Sequence, residues 1–146
     1  MRLFSPQWAE AAREVVDRGP DEAIRATKLA SYWEWIDRAR GSYSSSWALG
    51  LVETGQYLRL RWADGDCVEA SIREEPDADY VLTADAAAWR DIITGEDAGR
   101  LLMYRRMRLV HGDVLLFFRG IYFVVESIAA IGRIPASMPP EAAPAG

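Results

Sequence analysis

One cysteine, Cys67, and one histidine, His111, are present among 146 residues. A lone thiol closes no intramolecular disulfide, so a reducing compartment is acceptable. One cysteine and one histidine also fall short of the four nitrogen or sulfur ligands of an ordinary structural zinc site. No metal and no cofactor is expected. A basic surplus is missing as well: 22 acids face 17 bases, for a net charge of −5. Proteins that neutralise many phosphates are basic, which argues against nucleic acid as a partner. No segment approaches the ~18 uncharged apolar residues of a membrane span, because Asp113, Arg119 and Glu126 interrupt the best candidate. Met1 to Pro6 lacks the apolar stretch of a secretory signal, and a cytoplasmic location is expected.

What is present is apolar. Half of the residues are hydrophobic, six of them tryptophan, which promises a packed core and the opposite of a disordered composition. The length suits one domain. Ser5-Pro6 reads as an N-cap followed by proline in the first helical turn, and Trp8, Ala11, Ala12, Val15 and Val16 then recur at helical spacing until Gly19-Pro20. Asp21 restarts a helix that should run to about Gly41, with Ile24, Leu29, Tyr32, Trp33 and Ile36 near one face. That face is expected to pack on a sheet, with lining of a binding site as the alternative.

After the polar stretch Ser42 to Ser46 the period changes to two. Trp47, Leu49 and Leu51 alternate with smaller residues, then Leu58, Leu60 and Trp62 with polar ones, then Val68, Ala70 and Ile72. Turns at Thr54-Gly55 and Asp64-Gly65 join the three runs into an antiparallel meander with one buried face. In this register Cys67 falls on the polar face. Glu74 to Asp79 is an acidic loop without the spaced ligands and glycine of a calcium site, so a solvated loop is expected. Tyr80 to Ala84 reads as a fourth strand, Asp85 as the cap of a helix closed by Thr94-Gly95, Gly99 to Arg106 as a short helix, and Met107 to Val110 as a fifth strand. Val114 to Ile131 is apolar almost all round. The Asp113 cap and the length favour one helix, with a strand pair turning at Gly120 as the alternative. From Pro135 onward the Pro/Ala-rich tail is expected to be disordered.

The succession Asp77-Ala-Asp-Tyr-Val-Leu-Thr-Ala-Asp85, Trp89-Arg-Asp-Ile-Ile-Thr-Gly95 and Arg108-Leu-Val-His-Gly-Asp113 resembles the sterol-carrier-protein-2 family. In that family an acidic strand segment precedes a helix ending in Thr-Gly or Leu-Gly, a short helix, and a strand closing in Gly-Asp or Gly-Asn. The likeness covers about residues 44 to 132. It implies an α+β fold, a five-stranded, mostly antiparallel sheet with helices packed on one face. It also implies an apolar tunnel between sheet and helices for fatty acids, acyl-CoA, sterols or isoprenoid-like molecules, and no catalytic residues. The corresponding division is an N-terminal helical segment over 1–43, a lipid-binding core over 44–134 and a disordered tail over 135–146. Two features depart from the family. Arg106-Met107 stands where a glycine usually precedes the fifth strand, which implies a different local backbone at the cavity mouth, and the second helix is unusually aromatic through Trp33 and Trp35.

A carrier site needs concave apolar surface with few polar groups. Pattern alone nominates Trp89, Ile92, Ile93, Leu102 and Met103 from the preceding helices, and Phe117, Phe118, Ile121, Tyr122 and Val125 from the last element. Arg105, Arg106 and Arg108 form a basic cluster that reads either as a solvated face or as a docking patch for an anionic head group, a membrane surface or a coenzyme A phosphate. Two other functions stay open. One is an isomerase or hydratase acting on a lipophilic substrate through His111, near Tyr104, Asp113 or Glu126. The other is an accessory subunit that presents a lipophilic intermediate to a partner enzyme through its arginines and tail.

Overall fold

Ser5 accepts from the Trp8 N–H at 3.2 Å and opens α1 (Pro6–Arg18), with Pro6 in the first turn, where a missing N–H is harmless. The structure, a computed structural model, describes residues 1–139. After α1 come α2 (Glu22–Arg25), α3 (Ala30–Arg40), β1 (Ser45–Leu51), β2 (Gln56–Ala63), β3 (Asp66–Arg73) and β4 (Tyr80–Ala84). Then follow α4 (Ala86–Ile93), α5 (Ala98–Met103), β5 (Met107–His111), α6 (Val114–Arg119) and α7 (Ile121–Gly132). No helix among the described residues is long and apolar enough to cross a membrane.

The strands form one sheet in the order β3-β2-β1-β4-β5. β1 to β3 are the expected meander. Asp64 (φ 48°) and Gly65 (φ 87°) both adopt left-handed conformations, so two residues turn β2 into β3 with the twist that a hairpin needs. β4 then lies parallel to β1, and the remaining pairs are antiparallel. The acidic loop before β4 has a structural task. Asp79 accepts from the Ser45 hydroxyl and the Ser46 N–H, its own N–H donates to the Ser46 hydroxyl, and Arg59 donates to the Asp77 carbonyl.

Helices cover one face of the sheet. Trp47, Leu49 and Leu51 of β1 share that face with Leu58, Leu60, Trp62 and Leu82, all buried. Phe123 of α7 packs against both Trp62 (4.8 Å between ring centroids) and Trp47 (5.4 Å), which also meet each other at 5.1 Å. Trp89 of α4 packs edge-on against Trp8 and Phe4 and donates its indole N–H to the Gly50 carbonyl at 3.0 Å. α1 lies on β3, within the same core as the helices that follow the sheet.

Five expectations need correction. The helix expected from Asp21 to Gly41 breaks into α2 and α3. The Trp33 indole takes the Arg25 carbonyl at 2.7 Å, an acceptor that a continuous helix would reserve for the Leu29 N–H, and α3 packs against α7. Cys67 is buried, not on the polar face, because a β-bulge intervenes. Arg61 pairs with Glu69 and Trp62 with Cys67, so Val68 is the extra residue and everything before it changes sides. The helix expected over Gly99 to Arg106 starts one residue earlier, capped by Asp97, and ends at Met103. The apolar stretch Val114 to Ile131 is helical but divided at Gly120 into α6 and α7. Finally, the stretch expected to be free from Pro135 onward meets the start of the chain: Ser137 donates to the Met1 carbonyl and accepts from the Leu3 N–H, each at 2.9 Å. The rest of the tail, 140–146, lies outside the described residues.

Candidate functional site

The turn between α5 and β5 shapes the site. Arg105 takes the left-handed conformation (φ 60°), and the Arg106 N–H returns to the Leu101 carbonyl at 2.9 Å, a helix-closing geometry usually served by glycine. The sequence lacks the family's glycine here, but Arg105 takes the conformation a glycine would, so the expected difference in the local backbone is not seen and the tight helix-to-strand turn is kept. Downstream, Gly112 (φ 122°) sits so close to Tyr80 that an added Cβ would lie 2.5 Å from its ring. Asp113 then accepts from the Leu116 N–H and starts α6. The break at Gly120 allows α6 and α7 to take separate courses, with Phe117 buried in the core and Phe118 exposed.

Between α5, β5, α6 and α7 lies a cleft of about 960 Å³, lined by Leu102, Met103, Met107, Leu109, Val114, Phe117, Phe118, Ile121, Tyr122 and Val125. Small-molecule sites commonly span about 300–1,000 Å³. Cations gather along its border: Lys28, Arg100, Arg105 and Arg108, against the single acid Asp97. Asp97 caps α5 by accepting from the Gly99 and Arg100 N–H groups. Arg100, Arg105 and Arg108 make no ion pair among the described residues.

One polar group at the cleft escapes pattern reading. Lys28, the only lysine of the chain, and Tyr32 both donate to Oε1 of Glu126 on α7, at 2.5 and 2.7 Å. Glu126 is 9% exposed, and these two donors satisfy an oxygen that burial would otherwise leave without a partner. The Lys28 ammonium also stands 4.5 Å from the centroid of the Tyr32 ring. Burial, reinforced by the hydrogen bond to Glu126, raises the Tyr32 phenol well above its ordinary value.

No protein-family model matches the chain, and no curated protein matches it significantly. Solved structures do. A crystal structure of sterol carrier protein 2 superposes with a TM-score of 0.71 at 21% identity, covering 92% of this chain and 100% of the other. The solution structure of a conserved hypothetical protein from Thermus thermophilus, suggested to be a sterol carrier protein, gives 0.67 at 23% identity over 97% and 94% of the two chains. The fold is that of sterol carrier protein 2.

Within this sterol-carrier-protein-2-like fold the nominated residues separate by location. Leu102, Met103, Phe117, Phe118, Ile121, Tyr122 and Val125 converge on the cleft. Trp89 does not: it is fully buried among Phe4 and Trp8. Ile92 and Ile93 border a separate recess of about 530 Å³ with Thr94, Glu96 and Arg133. Arg105 and Arg108 line the cleft, whereas Arg106 turns away to pair with Asp91 at 2.6 Å. His111 is exposed, opposite Val81 on the edge strand, and is not among the cleft residues. Asp113, one of its suggested helpers, is occupied as the α6 cap.

Proposed function

We propose that this protein binds a hydrophobic small molecule in the cleft between α5, β5, α6 and α7 and carries it within the cell without altering it. The observation that carries this reading is an apolar-walled cleft of about 960 Å³ within a sterol-carrier-protein-2-like fold. At roughly 25 cal/mol per Å², a ligand hiding about 500 Å² gains about 12 kcal/mol, which leaves the roughly 8 kcal/mol of micromolar binding after an association cost of about 4 kcal/mol. A fatty acid, acyl-CoA, sterol or isoprenoid-like molecule has that area. Arg100, Arg105 and Arg108 would orient an acidic head group at the border, and the walls would hold the tail.

Native mass spectrometry of freshly purified protein, followed by extraction of whatever is bound, tests this. The expected result is a lipophilic molecule at near one per chain, or saturable uptake of a fluorescent fatty acid by the emptied protein. Val125→Trp, which fills the cleft from α7, should weaken that uptake at least tenfold with the fold retained. An empty protein that takes up none of a panel of fatty acids, acyl-CoAs and sterols overturns the reading.

A further inference from the structure

The cleft has polar groups at two ends, and they differ in kind. Arg105 and Arg108 stand beyond the C-terminal end of α5 and make no ion pair among the described residues. The other end lies where α5 begins. There Lys28, Tyr32 and Asp97 all border the cleft, and a Cβ added to Gly99 would meet Val125 of α7, the neighbour of Glu126, at 3.6 Å. The six residues of α5 separate the two ends by about 9 Å.

The Lys28 end is charged in its parts and neutral as a whole. One oxygen of the buried Glu126 carboxylate takes both Lys28 and Tyr32, so the ammonium is balanced by a carboxylate at contact distance. A carboxylate or phosphate brought to Lys28 would find Glu126 and Asp97 beside it, and like charges oppose it there. Hydrogen-bonding capacity nevertheless remains. An ammonium has three N–H groups, and Lys28 gives one to Glu126 and directs a long second, at 3.4 Å, to the Tyr32 hydroxyl. Tyr32 gives its single proton to Glu126, which leaves its oxygen able to accept once more. A ligand hydroxyl uses both residues at once, accepting from Lys28 and donating to Tyr32. A plain hydrocarbon chain uses neither and sets unmatched polar groups against apolar surface, which costs free energy.

We propose that Lys28, held by Glu126, and Tyr32 are specificity-determining residues that select a hydroxyl on the ligand chain. The cargo is then a mid-chain hydroxylated long-chain acid, with its carboxylate at the arginine end and its hydroxyl at the Lys28 end. The inference rests on the carrier reading and narrows it to a ligand class. A Lys28–Glu126 tie that only joined the α2–α3 connection to α7 would alter stability and all affinities together, and would not set their ratio.

Displacement of a fluorescent fatty acid from the delipidated full chain by stearate, 10-hydroxystearate and 2-hydroxystearate tests it. One satisfied hydroxyl should make 10-hydroxystearate bind about fivefold more tightly than stearate. 2-Hydroxystearate, whose hydroxyl stays beside the carboxylate, should gain far less. Lys28→Met with Glu126→Gln removes the ammonium without leaving a buried carboxylate unpaired. In that variant the preference should vanish, with stearate binding at least as tightly as 10-hydroxystearate. Tyr32→Phe alone should reduce the preference, which gives a second reading if the double variant does not fold. Arg73→Ala on β3 should keep it, and far-UV circular dichroism checks the fold of each variant. Equal binding of stearate and 10-hydroxystearate, an equal gain with 2-hydroxystearate, or a preference that survives in the variants overturns the proposal and leaves the carrier reading standing. Failure of the probe and all three acids to bind overturns the carrier reading and this proposal with it.

Discussion

Gly132→Ala measures how closely α7 is held against α4. In an exposed helix interior this substitution stabilises by roughly 1 kcal/mol, because alanine loses less backbone freedom on folding. At Gly132 an added Cβ would lie 2.5 Å from the Ile92 carbonyl oxygen, 3.2 Å from its carbonyl carbon and 2.9 Å from its Cγ2. The obstructing oxygen is main chain and cannot rotate aside, so the helices must separate by the better part of an ångström. Overpacking by one methyl in a tight core typically costs about 1–3 kcal/mol. A clash with rigid main chain belongs to the upper part of that range, about 2–3 kcal/mol, so set against the propensity gain a net loss of about 1–2 kcal/mol is expected. Gly120→Ala is the control: at φ −103° an added Cβ meets nothing within 4 Å, so it should stabilise by about 0.4–1 kcal/mol through the unfolded chain. Urea unfolding followed by tryptophan fluorescence reads both. With a slope of about 1–3 kcal/mol/M, the Gly132→Ala midpoint should fall by about 0.5–1 M while that of Gly120→Ala rises. Ligand uptake should weaken with Gly132→Ala as well, since α7 carries Ile121, Tyr122 and Val125 of the cleft wall. A midpoint for Gly132→Ala at or above the starting protein would refute the close approach of the two helices.

Other expectations follow from single groups. Burial pushes the Cys67 thiol up to about 11, so a disulfide reagent at pH 8 should modify it slowly in the folded protein and rapidly in denaturant. Because that value is raised on folding, its stabilising contribution is complete below the ordinary thiol value near 9 and is lost as pH climbs through 11. The Tyr32 phenol is raised in the same sense, so stability should decline further above pH 10, where an unfolded tyrosine ionises, and Tyr32→Phe should remove that part of the decline in alkaline melting curves. Asp85 accepts from the Ala88 N–H at 2.8 Å as the α4 cap, and Asp85→Ala should cost about 1 kcal/mol in the same urea assay. His111→Ala should leave ligand uptake unchanged in a fluorescence titration. A large loss would place chemistry or binding at His111, outside the cleft.

Much of the site is legible in the sequence because its walls come from one apolar stretch and one short helix. Leu102, Met103, Phe117, Phe118, Ile121, Tyr122 and Val125 stand out by pattern and meet at the cleft. Trp89 and Ile92 have the same apolar character but enter other surroundings from α4, and hydrophobicity carries no label for which core or cavity a side chain enters. Lys28 escapes as a site residue, and Tyr32 stands out only on a face for which a binding site was the alternative, because their partner Glu126 is 98 and 94 residues away and no local pattern reports such a meeting. The one signal in reach is that Lys28 is the only lysine of the chain.

Elements whose energies are local can be read before any fold is known. The caps at Ser5, Asp85 and Asp113, the Asp64-Gly65 turn and the alternation through β1 and β2 each involve groups within a few residues, so they read directly as helix starts, a hairpin and a buried face. Other features take their form from the folded chain. The bulge at Val68 turns Cys67 inward to match Trp62, and Trp33 divides a helix by reaching the Arg25 carbonyl. Ser137 is held by Met1 and Leu3 at the other end of the chain. Each of these exchanges a locally preferred arrangement for contacts that depend on packing. Such contacts exist only once the chain has closed on itself.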